Sequence, residues 1–165
     1  HRGTYLVAKM LAVLLTLGLV TLGPPFLVLL GYTFDGSGPD GFGNWLIVLF
    51  RIILSGAAVS AALTAISMAA SSITDRRAFA SIGVVLLILA SPIVAGSLVD
   101  GAQLSPNWRL IDVFSMPFEL VFRIFGEPGN FPEVSTLAVI AVNAAWTFGG
   151  LTVVVWRYSR LVIAR

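Results

Sequence analysis

Cysteine is absent from the 165 residues, which excludes a disulfide framework, thiol nucleophiles and cysteine metal sites. The one histidine is His1, so neither an imidazole base nor a histidine metal cluster can be assembled in the body of the chain. Charge is scarce: Asp, Glu, Lys and Arg make up 11% of the residues, against 58% hydrophobic. Four stretches, 10–34, 52–74, 78–99 and 134–156, hold no charged residue at all. With no acid pair inside any of them, a proton relay or carboxylate ion site has no support. A Gly-rich loop ending in Lys-Ser or Lys-Thr is missing, which excludes nucleotide hydrolysis by that route. No Ser-His pair and no strand-to-helix elbow is present for serine catalysis. These absences point away from an enzyme.

What the chain has is apolar length. Each charge-free stretch exceeds the ~20 residues needed to cross a hydrocarbon core, and the mean hydropathy of +0.96 lies outside the range of soluble domains. The reading is an all-α, polytopic integral membrane protein, one transmembrane domain over 1–165 with spans at about 5–32, 46–73, 78–99 and 134–157. The flanking charges sort by sign. Arg2, Lys9, Arg76, Arg77, Arg157, Arg160 and Arg165 lie at the N-terminus, in the second gap and at the C-terminus, whereas Asp35, Asp40, Asp100, Asp112, Glu119, Glu127 and Glu133 fill the first and third gaps. Because Lys and Arg near span ends are retained on the cytoplasmic side, both termini are expected inside. The net charge of +2 does not indicate nucleic acid, since the cations sit in small clusters at span ends. The first apolar run is too long for a signal peptide, and a chain opening at His1 reads as a fragment or processed product. Nine Arg against one Lys, with abundant Ala, Gly and Val, hints at a GC-rich bacterial genome and hence a bacterial inner membrane.

Within the spans a few residues interrupt the apolar pattern. Gly23-Pro24-Pro25 predicts a kink or helix end in the first span, and Pro92 predicts the same in the third. Arg51 lies about two turns beyond the interfacial Trp45, within reach of snorkelling outward or of facing a pathway. Ala57, Ala61, Ala65 and Ala69, beside Gly56, Ser60 and Thr64, form a small-residue stripe suited to close helix packing. The hydroxyls of Ser60 and Thr64 either back-bond to their own helix or line a pathway. Asn143, the one strongly polar residue of the last span, is expected to bond a neighbouring helix or contact a ligand. Between the third and last spans, Phe114, Phe118, Val121, Phe122 and Phe125 recur at helical spacing, with Glu119 and Arg123 as an i,i+4 pair on another face. That pattern predicts one or two short interfacial or re-entrant helices over 108–125, broken near Pro117 and too charged to cross. Their Phe114, Phe118 and Phe122 stripe would serve as an external lid or as a lipid-facing anchor.

The opening His1-Arg2-Gly3-Thr4-Tyr5-Leu6-Val7-Ala8-Lys9-Met10 resembles the segment after the coupling helix in type-2 ABC exporter permeases. The helix ending Ala69-Ala70-Ser71-Ser72, the turn Asp75-Arg76-Arg77-Ala78-Phe79-Ala80, a third helix broken on its outer side, the external amphipathic hairpin and the last helix ending Trp156-Arg157-Tyr158 follow the order of that family's later elements. The family has six membrane helices per subunit, and this sequence is similar to the last four. The resemblance implies a transmembrane permease subunit of an ATP-driven exporter for a hydrophobic or amphipathic cargo. Its partners would be a cytosolic ABC ATPase holding ATP and Mg, a second permease copy or related chain, and membrane lipids; no cofactor and no nucleic acid would bind this chain. Arg2, Tyr5, Lys9, Arg76 and Arg77 would lie at the cytoplasmic, ATPase-facing side. A non-transporting anchor or scaffold subunit of a larger membrane complex is the alternative from a different class.

Overall fold

The computed structural model describes residues 2–74 and 77–160. Its elements in order are α1 (Arg2–Phe34), α2 (Gly41–Ile73), α3 (Arg77–Gly96), a π-helical turn (Ser97–Gly101), a 3-10 helix (Pro106–Ile111), α4 (Ser115–Phe125) and α5 (Thr136–Arg160). No strand occurs among the described residues. Four helical stretches, Leu6–Phe34, Gly41–Ile73, Ala78–Gly101 and Thr136–Tyr158, are long and apolar enough to cross a membrane. Side chains such as Leu15, Leu19, Leu86 and Ile93 stand exposed along them. Water would not tolerate that surface and lipid favours it, so the chain is a helical multi-pass membrane protein.

Of the kink or helix end expected at each proline site, the helix end does not occur. α1 continues through Pro24 and Pro25, and α3 continues through Pro92. Each proline removes one rung, but ending a helix in apolar surroundings would free four carbonyls and four N–H groups at once. Continuing the helix is the cheaper outcome. α3 ends instead by widening into the π-helical turn, with Ala102 N–H donating to Ser97 O at 2.9 Å.

The chain divides into two compact units, His1–Thr64 and Ala65–Arg165. In the first, α1 and the first part of α2 form a hairpin. Trp45 Nε1 donates to Thr33 Oγ1 at 2.9 Å across its closed end, and Thr33 Oγ1 donates to Leu29 O at 2.7 Å. At mid-helix the Leu22 side chain fills the space over Gly56: a Cβ there would lie 2.6 Å from Leu22 Cγ.

In the second unit the last part of α2 packs against α5. A Cβ at Gly150 would fall 2.8 Å from Ala65 O and 3.0 Å from Ala65 Cβ, so the helices meet at a Gly-Ala contact that larger residues would pry apart. Of the expected alanine stripe, Ala65 is fully buried while Ala57 is exposed. Near the far end of α5, Arg157 Nε donates to Ser72 O at 3.2 Å, occupying a carbonyl in the last turn of α2 that lacks a helical partner. Gly150→Ala is expected to destabilise the protein by about 1–3 kcal/mol through overpacking against backbone. Gly149→Ala, where an added Cβ meets nothing within 4 Å, should be neutral or gain up to ~1 kcal/mol of helix propensity. Thermal unfolding in detergent compares the two; equal effects would remove the close-packing explanation.

Candidate functional site

The polar chemistry of the second unit gathers in residues 97–135, between α3 and α5. Two hydrogen bonds fix how deep this segment lies. Val113 N–H donates to Ser91 Oγ at 3.1 Å, and Ser91 is five residues before the end of α3, about 8 Å along its axis. Asn143 Nδ2 donates to Met116 O at 3.0 Å, and Asn143 is seven residues beyond the start of α5, about 10 Å along that axis. The chain therefore leaves α3, turns back along it through the 3-10 helix, and reaches its deepest point at residues 113–116. α4 then climbs beside α5. Its start meets Asn143, while Arg123 near its end donates to Val134 O just before α5 begins, so the two helices run antiparallel. Met116, Val134 and Val139 form the buried core of this contact, packed by Leu110, Leu120, Phe131, Ala138 and Val142. This is a re-entrant cap.

Its turns are held by buried charge. Asp112 is buried and its Oδ1 accepts from Phe114 N–H at 3.1 Å and Ser115 N–H at 2.9 Å, capping α4. The break falls there, at residues 112–114, and not near Pro117 as the sequence suggested. Pro117 sits in the first turn of α4, where proline is tolerated. Glu119 has no exposed surface. Its carboxylate accepts from Arg123 Nη2 at 2.9 Å and from Asn130 N–H at 2.8 Å. Arg123 Nη2 also reaches Phe131 O at 2.8 Å. The carboxylate leaves no room at residue 129: a Cβ there would lie 2.5 Å from Glu119 Cδ, and φ is +71°. Glycine alone meets both conditions. On the other side of Phe131, Arg109 Cζ stacks 5.0 Å from the ring centroid while its Nη2 holds both oxygens of Asp100 at 2.7 Å.

The two faces of α4 separate as the spacing predicts. The i,i+4 pair Glu119–Arg123 forms as expected, but it faces the protein, and Phe114, Phe118 and Phe122 face out. Asn143, one of the pathway or packing candidates, also bonds Val139 O and serves packing. Ser60 lines an apolar groove of about 730 Å³ in the first unit with Gly18, Leu19, Phe26 and Ala61, but its hydroxyl donates to Gly56 O at 2.6 Å. Thr64 is buried and its Oγ1 has no hydrogen-bond partner among the described residues. Arg51 is half-buried on α2, and Lys9 is exposed near the start of α1. Arg76 lies outside the described residues, as do the side chains of Arg2, Tyr5 and Arg77. No group of His, Asp or Glu among the described residues is arranged to hold a metal ion.

Asp112, Ser91, Arg109 and Gly129 are structural partners that sequence reasoning did not assign. The signal available for the last was the turn Glu127-Pro128-Gly129-Asn130 following a charged helix. Fold and cap together define a helical multi-pass membrane protein with a re-entrant segment between its last two spans. Compared with known proteins, the chain matches no protein family, no curated protein and no solved structure.

Removing one member of a buried ion pair strands the other, at about 3–5 kcal/mol. Glu119→Ala and Arg123→Ala are each expected to lower stability by that order and to expose the 127–133 turn to protease. The double replacement Glu119→Ala with Arg123→Ala should cost much less than the two single losses combined. Strict additivity in that cycle would show that the pair does not hold the turn.

Proposed function

We propose that this chain is the membrane-spanning part of an ATP-driven exporter permease of the type-2 ABC kind, powered by a separate cytosolic ATPase. The observation that carries the reading is the cap: a re-entrant segment hydrogen-bonded to both of its flanking spans, in the order of elements that the resemblance calls for. Ser91 ties the cap to α3 and Asn143 ties it to α5. A shift of one span against the other must therefore move the cap, which is what closing and opening one end of a pathway requires. The opposite ends of α2 and α5 are joined by Arg157 and Ser72, near the sequence positions of Arg76 and Arg77. On this reading those ends face the cytoplasm with Arg2, Tyr5 and Lys9, and receive the mechanical stroke. Charge-free spans suit a hydrophobic or amphipathic cargo, and the membrane is a bacterial inner membrane.

Two experiments test this. The cysteine-free sequence permits single-cysteine labelling: Ser37→Cys and Glu127→Cys should react with an impermeant maleimide on intact cells, and Thr74→Cys only after lysis. The reverse pattern would overturn the orientation. The natural gene product, purified from its membrane, should bring down a soluble nucleotide-binding subunit and hydrolyse ATP only with it. ATP turnover by the permease alone, or no nucleotide-binding partner, would sink the exporter reading.

A further inference from the structure

Between residues 112 and 125 the exposed residues are Phe114, Phe118 and Phe122 alone. They are 43%, 42% and 38% exposed, and at intervals of four they share one face of the helix. The rings of Phe114 and Phe118 are 5.3 Å apart, so two of the three rings meet on this aromatic ridge. Both charges of α4 are turned the other way, Glu119 into the protein and Arg123 onto the 131–134 backbone. A helix that faced water would present the opposite arrangement.

Depth says what covers the ridge. Phe114 precedes by two residues the Met116 carbonyl that meets Asn143, about 10 Å below the start of α5. Phe122 lies beside Arg123, level with Val134 and the start of α5. The ridge thus runs from within the hydrocarbon up to the headgroup level. At its upper end the exposed side chains change character: Trp108, the exposed carboxylate of Asp100 held by Arg109, Glu127 and Glu133. An aromatic at the polar boundary with acids beyond it is the profile of a membrane interface.

We infer that the Phe114–Phe118–Phe122 ridge is a lipid-binding face, packed against the acyl chains of the leaflet at the cap's end, and not a surface of an aqueous pathway. This rests on the membrane fold and the cap geometry and is independent of the exporter reading. The cap would then be held from both sides, by Ser91 and Asn143 within the protein and by lipid along its ridge.

The test uses the full cysteine-free chain with Phe118→Cys or Phe122→Cys carrying a nitroxide, in vesicles of phosphatidylethanolamine and phosphatidylglycerol. Oxygen should relax both labels several-fold more strongly than a water-soluble nickel chelate, with residue 118 deeper than 122, and Glu127→Cys should show the reverse. Greater access by the nickel chelate at 118 would place the ridge in water and overturn the inference. Shielding from both reagents would mean a protein partner and overturn it equally. Because a cysteine can disturb an aromatic ridge, benzoylphenylalanine at position 118 gives a second readout. It should photocross-link to phospholipid; cross-linking to a second copy or to another chain refutes the lipid face.

Discussion

A polypeptide that breaks its helix at membrane depth must find protein partners for every backbone group it frees, because lipid offers none. The rest of this structure is arranged around one such break, at residues 112–114. The freed donors there are met individually: Val113 by the hydroxyl of Ser91, Phe114 and Ser115 by the carboxylate of Asp112. The Met116 carbonyl is met by the amide of Asn143. Ser91 and Asn143 are therefore the two polar side chains through which α3 and α5 hold the cap. Each occupies a position in an otherwise apolar helix where a hydroxyl or amide would be a liability without that partner.

The same constraint explains why α4 buries its charges. Its carboxylate and guanidinium close a turn whose backbone would otherwise be left unpaired: Glu119 accepts from Asn130, and Arg123 donates to the carbonyls of Phe131 and Val134. A neutral helix in this place would satisfy its own ladder but could not hold the 126–135 return so tightly against itself. Desolvating both ions is costly, and the added backbone bonds and the glycine at 129, which lets the carboxylate seat, are what make the pair tolerable.

The spans were legible because their signal is composition over twenty residues, which nothing local can mask; the described helices differ from the expected bounds by a few residues at their ends. The helix ends that the prolines allowed do not form, for a physical reason. Their penalty is scaled to water, where a broken helix is solvated, whereas here Pro24, Pro25 and Pro92 each forfeit one bond inside a helix that has no cheaper alternative. The direction of α4 was legible only as two alternatives, a lid over a pathway or a lipid-facing anchor. Periodicity places Phe118 and Glu119 on different faces but cannot say which face meets protein, and the rule that charges face outward assumes that the outside is water. Asn143 was legible in kind, as a helix-bonding amide, yet its partner was not, since Met116 lies twenty-seven positions away.

Arg109 and Arg123 show how the cap couples its two sides. Both contact Phe131, one over the ring and one at the carbonyl. Arg109 is anchored through Asp100 to the π-helical turn that ends α3, and Arg123 through Glu119 to α4. Phe131 is thus the joint between the end of α3 and the α4–α5 pair. A π-helical turn is more widely wound than the ladder on either side, and such turns recur at functional sites. If α3 and α5 slide against one another, the Ser91 and Asn143 bonds below and the two ion pairs above carry the motion into the cap.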